Sequence, residues 1–148
     1  MTDGEDATHT AARIATIRAA LLVAASGDAT QLPRIYLPDV TGWSPVLEVT
    51  SRDDLAADLR NHPGHFSGVD VVLDAVDVIG DKVIAEWRLA ATHSGALIAG
   101  ELRAGPATRR IELRGVFVAE FDGARIRRFR QYWDEAELLD QLGLLPDA

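Results

Sequence analysis

Apolar residues near the start of the chain recur at helical spacing: Ile14, Ile17, Leu21 and Ala24/Ala25 lie three or four positions apart, the period of an amphipathic helix. Thr8 or Thr10 can cap its start, and Gly27 stands where such a helix ends. Residues 1–8 are expected to form a flexible N-terminal segment. Arg34 to Val40 reads as extended, and Gly42-Trp43-Ser44-Pro45 reads as a break of turn residues that projects a large aromatic. Ser51-Arg52-Asp53-Asp54 then matches a capping box before Leu55 and Leu59, and His62-Pro63-Gly64 stops this second, shorter helix.

From Val69 the texture becomes strand-like. Strands are predicted over Val69 to Ile79, Val83 to His93, Arg110 to Phe121 and Ile126 to Trp133. Gly80-Asp81 and Asp122-Gly123 supply the turns, and a loop runs through Gly105-Pro106. Ile111, Leu113, Gly115, Phe117, Ala119 and Phe121 alternate with Arg110, Glu112, Arg114 and Glu120, so one face is buried and the other largely charged. Ile126 and Phe129 fall on opposite parities, which predicts a bulge or a change of buried face between them. Glu135 to Leu142 closes the chain as a helix. Helices, then long antiparallel strands, then one helix make an α+β domain. A sheet this long and twisted can wrap around the helices and leave a conical cavity for a small apolar molecule.

The 148 residues are one domain's worth of chain. Hydrophobic residues at 47% and charged residues at 26% supply a real core and exclude general disorder. The absence of cysteine excludes disulfides, thiolate metal sites and a thiol nucleophile. The acidic opening Met1-Thr2-Asp3-Gly4-Glu5-Asp6 has neither the positive flank of a signal peptide nor the arginines of a transit peptide. The apolar run Ala19 to Ala25 is far shorter than the roughly 20 residues a membrane span needs. A cytoplasmic protein is expected, with no membrane association. The formal net charge of −8 disfavours nucleic acid. Arg103, Arg109, Arg110, Arg114, Arg125, Arg127, Arg128 and Arg130 crowd the last third, but Glu101, Glu112, Glu120 and Asp122 are interleaved, a pattern of cross-strand ion pairs.

Asp134 ends the last strand behind Tyr132 and Trp133. Aromatic neighbours that desolvate a carboxyl raise its pKa and make it a general acid or base. Asp134 followed three residues later by Glu137 is also an N-cap arrangement. His93 shares the parity of Val83, Ala85, Trp87 and Leu89, and is either a proton donor at the cavity or a core histidine. Glu86 and Arg88 share a face of their strand. Joined by Asp134 they would make a carboxylate, guanidinium, carboxylate set suited to epoxide opening, the alternative being a surface ion pair. Tyr36, Trp43, Trp87, Phe117, Tyr132 and Trp133 would suit an aromatic guest or simply fill the core. His62 and His65 are separated by Pro-Gly and not set on one helical face, so no metal is expected. Neither a Gly-rich phosphate loop nor a G-x-S-x-G elbow occurs.

Several strings occur in an order that resembles the SnoaL-like polyketide cyclases, within the superfamily of ketosteroid isomerase and nuclear transport factor 2. They are Gly80-Asp81-Lys82-Val83 before a strand with Trp87, Thr92-His93-Ser94-Gly95, the Gly105-Pro106 loop, Arg114-Gly115-Val116, Phe121-Asp122-Gly123, Ile126 with Asp134 eight residues on, and Leu138-Leu139-Asp140-Gln141-Leu142-Gly143. The resemblance covers roughly residues 10 to 145. It implies a cone-shaped α+β barrel, its curved antiparallel sheet wrapped around the N-terminal helices with a short C-terminal helix. It further implies a homodimer through the outer sheet face and no cofactor. The activity it implies is intramolecular aldol closure of a hydrophobic, polyketide-like substrate, with Asp134 as acid/base. His93 is the second catalytic candidate, and Tyr36, Trp43, Trp87, Arg88, Phe117, Tyr132 and Trp133 are the substrate-binding candidates. The same fold also serves as a non-catalytic binding or dimerisation module. Two departures touch the pocket: Ala107-Thr108-Arg109-Arg110 lacks the family's glycine after the threonine, and Arg130 stands where many relatives have an aromatic.

Overall fold

The computed structural model describes residues 3–61, 66–93, 97–99, 102–104 and 109–143. Helix α1 (Asp3–Ser26) starts before the expected threonine caps. It buries Ile17, Ala20, Leu21, Val23 and Ala25. Gly27 ends it at φ +80°, a conformation that favours glycine, and its N–H donates to the Val23 carbonyl at 2.8 Å. A 3₁₀ turn (Ala29–Gln31) and the short α2 (Leu32–Ile35) lead into strand β1 (Tyr36–Ser44). The expected break at Gly42 is absent. The strand runs on to Ser44 and pairs with β2 (Leu47–Val49), which the sequence reading does not contain. Gly42 is needed there for space, since a Cβ would enter the Phe129 ring.

Helix α3 (Arg52–Asn61) follows the predicted box. Ser51 Oγ accepts from the Asp54 N–H at 3.1 Å, while the Asp54 carboxylate reaches back to the Thr50 N–H at 2.9 Å. Four long strands follow: β3 (Phe66–Ile79), β4 (Lys82–His93), β7 (Arg109–Asp122) and β8 (Arg125–Trp133). Between β4 and β7 lies a two-stranded hairpin, β5 (Leu97–Ala99) and β6 (Leu102–Ala104), where a loop was expected. Helix α4 (Glu135–Gln141) closes the fold.

The main sheet has the order β2-β1-β8-β7-β4-β3. It is mixed, because β1 lies parallel to β8 while the other neighbours are antiparallel, and it is not closed into a barrel, since β2 and β3 stand at its two edges. The expected fully antiparallel sheet is corrected at that one pairing. The crossover through α3 carries the chain from β1 to the far edge, and β8 returns beside β1 in the same direction. The expected bulge is present. Phe121 pairs with Ile126 and Glu120 with Arg128, leaving Arg127 as the extra residue, so Ile126 and Phe129 are both buried. Register shifts in β3 and at the start of β1 bend the sheet further. On β4 every second residue from Val83 to His93 is buried, and this concave face packs over α1.

Arg13 fastens α1 to the tips of both long hairpins. Its Nε donates to the Gly123 carbonyl at 2.9 Å, its guanidinium pairs with Asp81 at 3.0 Å, and the same group lies 5.2 Å from the Phe121 ring centre. On the outer face Glu120 gathers Arg127 at 3.3 Å and Arg128 at 3.6 Å, the ion pairing expected of the arginine-rich strands.

Candidate active site

The concave face and the helices enclose an apolar cavity of about 220 Å³. Its floor is an aromatic row. Phe117 stacks on Phe129 at 5.8 Å, and Tyr36 lies tilted against the same Phe129 ring at 5.6 Å. Trp87 and Trp133 occupy the next row of the sheet, with Gly115 between them on β7. Leu55, Asp58 and Leu59 face the cavity from α3, spaced i, i+3, i+4 along its inward stripe. An engineered apolar cavity of about 150 Å³ admits benzene, so this one has room for a substituted ring.

Four of the aromatic candidates therefore meet at one place: Tyr36, Trp87, Phe117 and Trp133. Strand alternation sends the others outward. Trp43 and Tyr132 are 42% and 46% exposed, and their rings touch at 5.3 Å on the outer side of the sheet. Arg88 is also outside. It makes a two-pronged pair with Asp74 at 2.8 and 2.9 Å, which lowers the Asp74 pKa and raises that of Arg88. Glu86 is exposed on that same face. The carboxylate, guanidinium, carboxylate set is thus not assembled, because even positions of β4 point away from the cavity.

Asp134 is exposed and caps α4, its carboxylate accepting from the Glu137 N–H at 3.3 Å. It stands between two cavity residues, Trp133 and Leu138, without lining the cavity itself. His93 is buried, with its ring edge-on to Phe66 at 5.4 Å, and it too lies outside the lining. His62 and His65, together with Ser94, Gly95 and the Gly105-Pro106 loop, fall outside the described residues. Among the described residues no cluster of His, Asp and Glu is arranged to hold a metal ion, and no helix is long and apolar enough to cross a membrane.

The polar groups that do line the cavity are few. Tyr36 is 6% exposed, and burial raises the pKa of its phenol well above the usual value, so the hydroxyl stays protonated as a donor. Asp58 is the cavity's carboxylate, and no Arg, Lys or His lines it among the described residues. Trp87 Nε1 and Gln131 Oε1 are buried without a hydrogen-bond partner. The sequence reading missed both Asp58 and Gln131. The signal for Asp58 was its place one turn beyond Leu55. The signal for Gln131 was its sharing the parity of Phe129 after the bulge.

A sequence profile described as the SnoaL-like domain matches residues 17–129. No curated protein matches the chain. Among solved structures, TsrD from Streptomyces laurentii is similar with a TM-score of 0.70 and 21% identity, over 91% of this chain and 97% of that one. AclR from Streptomyces galilaeus, proposed to be a hydroxylase, gives 0.69 and 21% identity over 93% and 89% of the two chains. IdmH from Streptomyces antibioticus, proposed to be a polyketide cyclase, gives 0.68 and 19% over 88% and 98%. At these identities the likeness is one of fold.

Proposed function

The chain belongs to the SnoaL-like domain family, and from that premise we propose that it is an enzyme acting on a hydrophobic cyclic substrate by proton transfer with its own side chains. The observation that carries this reading is the apolar cavity of about 220 Å³ with a carboxylate in its wall. The resemblance implied Asp134 as the acid/base. Asp134 is instead exposed and caps α4, outside the cavity lining that includes Asp58. The proposed acid/base is Asp58, and the Tyr36 hydroxyl is the proposed donor to the oxygen on which negative charge develops.

In that scheme Asp58 takes a proton from carbon next to a carbonyl. The electron pair moves onto the carbonyl oxygen, and the Tyr36 O–H donates a hydrogen bond to it. The resulting enolate carbon can then attack a second carbonyl of the same molecule, the step of an aldol closure, and Asp58 returns its proton to the new alkoxide. The apolar lining lowers the local dielectric, which strengthens both interactions.

A nitrobenzisoxazole tests the base without knowledge of the natural substrate. A carboxylate in an apolar site removes its ring C–H proton while the N–O bond breaks, releasing a coloured cyanonitrophenolate. The expected result is catalysis by the wild type that falls by about 10²–10⁴-fold in Asp58→Asn, the usual contribution of a positioned acid/base group. Asp134→Asn should retain the rate. Equal rates for wild type and Asp58→Asn would remove Asp58 from the mechanism, and a loss confined to Asp134→Asn would restore the acid that the resemblance implied.

A further inference from the structure

The wall of the cavity differs from one flank to the other. Among the described residues, side-chain oxygens enter the lining at Tyr36, Ser44, Asp58 and Gln131. Tyr36 and Ser44 stand on β1, Gln131 on β8 and Asp58 on α3. These elements are neighbours, since β1 is bonded to β8 and α3 packs on β1. The other flank is built by β7 and β4, which follow β8 in the sheet, and by α1. It presents Leu21, Trp87, Leu89, Ile111, Leu113 and Phe117. Leu89 and Leu113 are directly paired across β4 and β7, and Trp87 and Ile111 follow them at two-residue spacing on the same face. Trp87 Nε1 is the polar side-chain atom of this flank, and it is closed off. Gln131 Oε1 is likewise enclosed, which leaves Tyr36, Ser44 and Asp58 of β1 and α3 as the polar side of the site.

Volume sets a second limit. At about 220 Å³ the cavity lies between an engineered one of about 150 Å³ that holds benzene and the roughly 300–1,000 Å³ pockets of drug-sized molecules. Resting on the cavity reading above, we propose that the substrate is a compound of one ring or two fused rings whose oxygens lie along one edge. Oxygens on that edge meet the polar side of the site. An oxygen on the opposite edge would be pressed against Leu89, Ile111 and Leu113 and would give up its bonds to water for none in return. The same asymmetry fixes orientation, turning the carbonyl toward Asp58 and Tyr36 as the proton transfer proposed above requires. Larger ring systems, or those oxygenated along both edges, are turned away.

Calorimetric titration with two isomers tests the edge. Naphthalene-2,3-diol carries both hydroxyls on one edge, and naphthalene-2,6-diol carries them on opposite edges. The expected result is tighter binding of the 2,3 isomer by about ten- to a hundredfold, the size produced when one hydroxyl is buried without a partner. Anthracen-2-ol should bind about tenfold or more weakly than naphthalen-2-ol, since a third ring overfills the space. Leu113 is only partly buried, and Leu113→Gln places an amide on the apolar flank. That variant should tighten binding of the 2,6 isomer and close most of the gap.

Equal affinity for the two diols, or preference for the 2,6 isomer, would overturn the one-edge assignment while leaving the cavity in place. A folded Leu113→Gln protein with an unchanged gap would overturn it as well, and if that variant fails to fold the wild-type order of the isomers decides. Anthracen-2-ol bound as tightly as naphthalen-2-ol would overturn the limit of two rings. Binding of none of these compounds would overturn the cavity reading itself, which the nitrobenzisoxazole assay checks separately.

Discussion

A carboxylate that caps a helix is held by the backbone it serves, and Asp134 is such a group. Asp134→Ala should lower stability by about 1 kcal/mol, the usual contribution of an N-cap, in a urea unfolding curve. Tyr36 makes a separate prediction through pH. Its folded-state pKa is raised above the ordinary value of 10.0, so its contribution is fully present below that pH. As pH rises above it, the unfolded chain sheds the phenolic proton and the buried group does not, so stability should fall. Tyr36→Phe should remove that alkaline slope, measured as the difference between unfolding free energies on the two sides of the transition. At this scale the sequence was only partly readable. Trp87 and Phe117 could be placed inward by parity, because a strand has two faces and one was plainly charged. Asp134 could not be assigned, because cap and cavity acid use the same residue at the same place in the chain. Asp58 went unnoticed because a carboxylate on a short, polar helix looks like solvated surface until its neighbours are known.

Single side chains also hold whole elements. Arg13 ties α1 to the Gly80-Asp81 and Asp122-Gly123 turns, so Arg13→Met should strip charged hydrogen bonds from both tips at once. A loss of about 1.5–3 kcal/mol is expected, from the usual worth of hydrogen bonds to charged groups, read by urea denaturation. Hydrogen exchange should rise first in those two turns. Gly115 does the reverse, holding elements close by having no side chain. A Cβ there would collide with the Tyr132 carbonyl and press on Trp87. Gly115→Ala should therefore lower the melting temperature and disturb tryptophan fluorescence, with a cost of about 1–3 kcal/mol for overpacking. The long elements were legible from period and caps, including the bulge that puts Ile126 and Phe129 on one buried side. The β5–β6 hairpin and β2 were not, since strands of three residues carry too little alternation to register.

For the molecule as a whole, the α+β layering followed from helices first and strands after, but the parallel meeting of β1 and β8 did not, because pairing between distant strands leaves no local trace. The outer face combines Trp43, Tyr132 and Val72 with interleaved Arg and acidic residues, and opposite charges on one patch can complement themselves across a two-fold axis. We propose that two copies meet there; light scattering should give twice the monomer mass, and Tyr132→Glu should return the monomer. A wild type that stays monomeric at high micromolar concentration would end that idea. The β1–β8 pairing also bears on how the protein is made. During synthesis the first strand leaves the ribosome with only β2 to bond to, and its other edge waits until β8 has emerged. Long-range closure of this kind is slow, and a nascent chain halted after β7 should remain open to protease at β1 while the finished chain resists it.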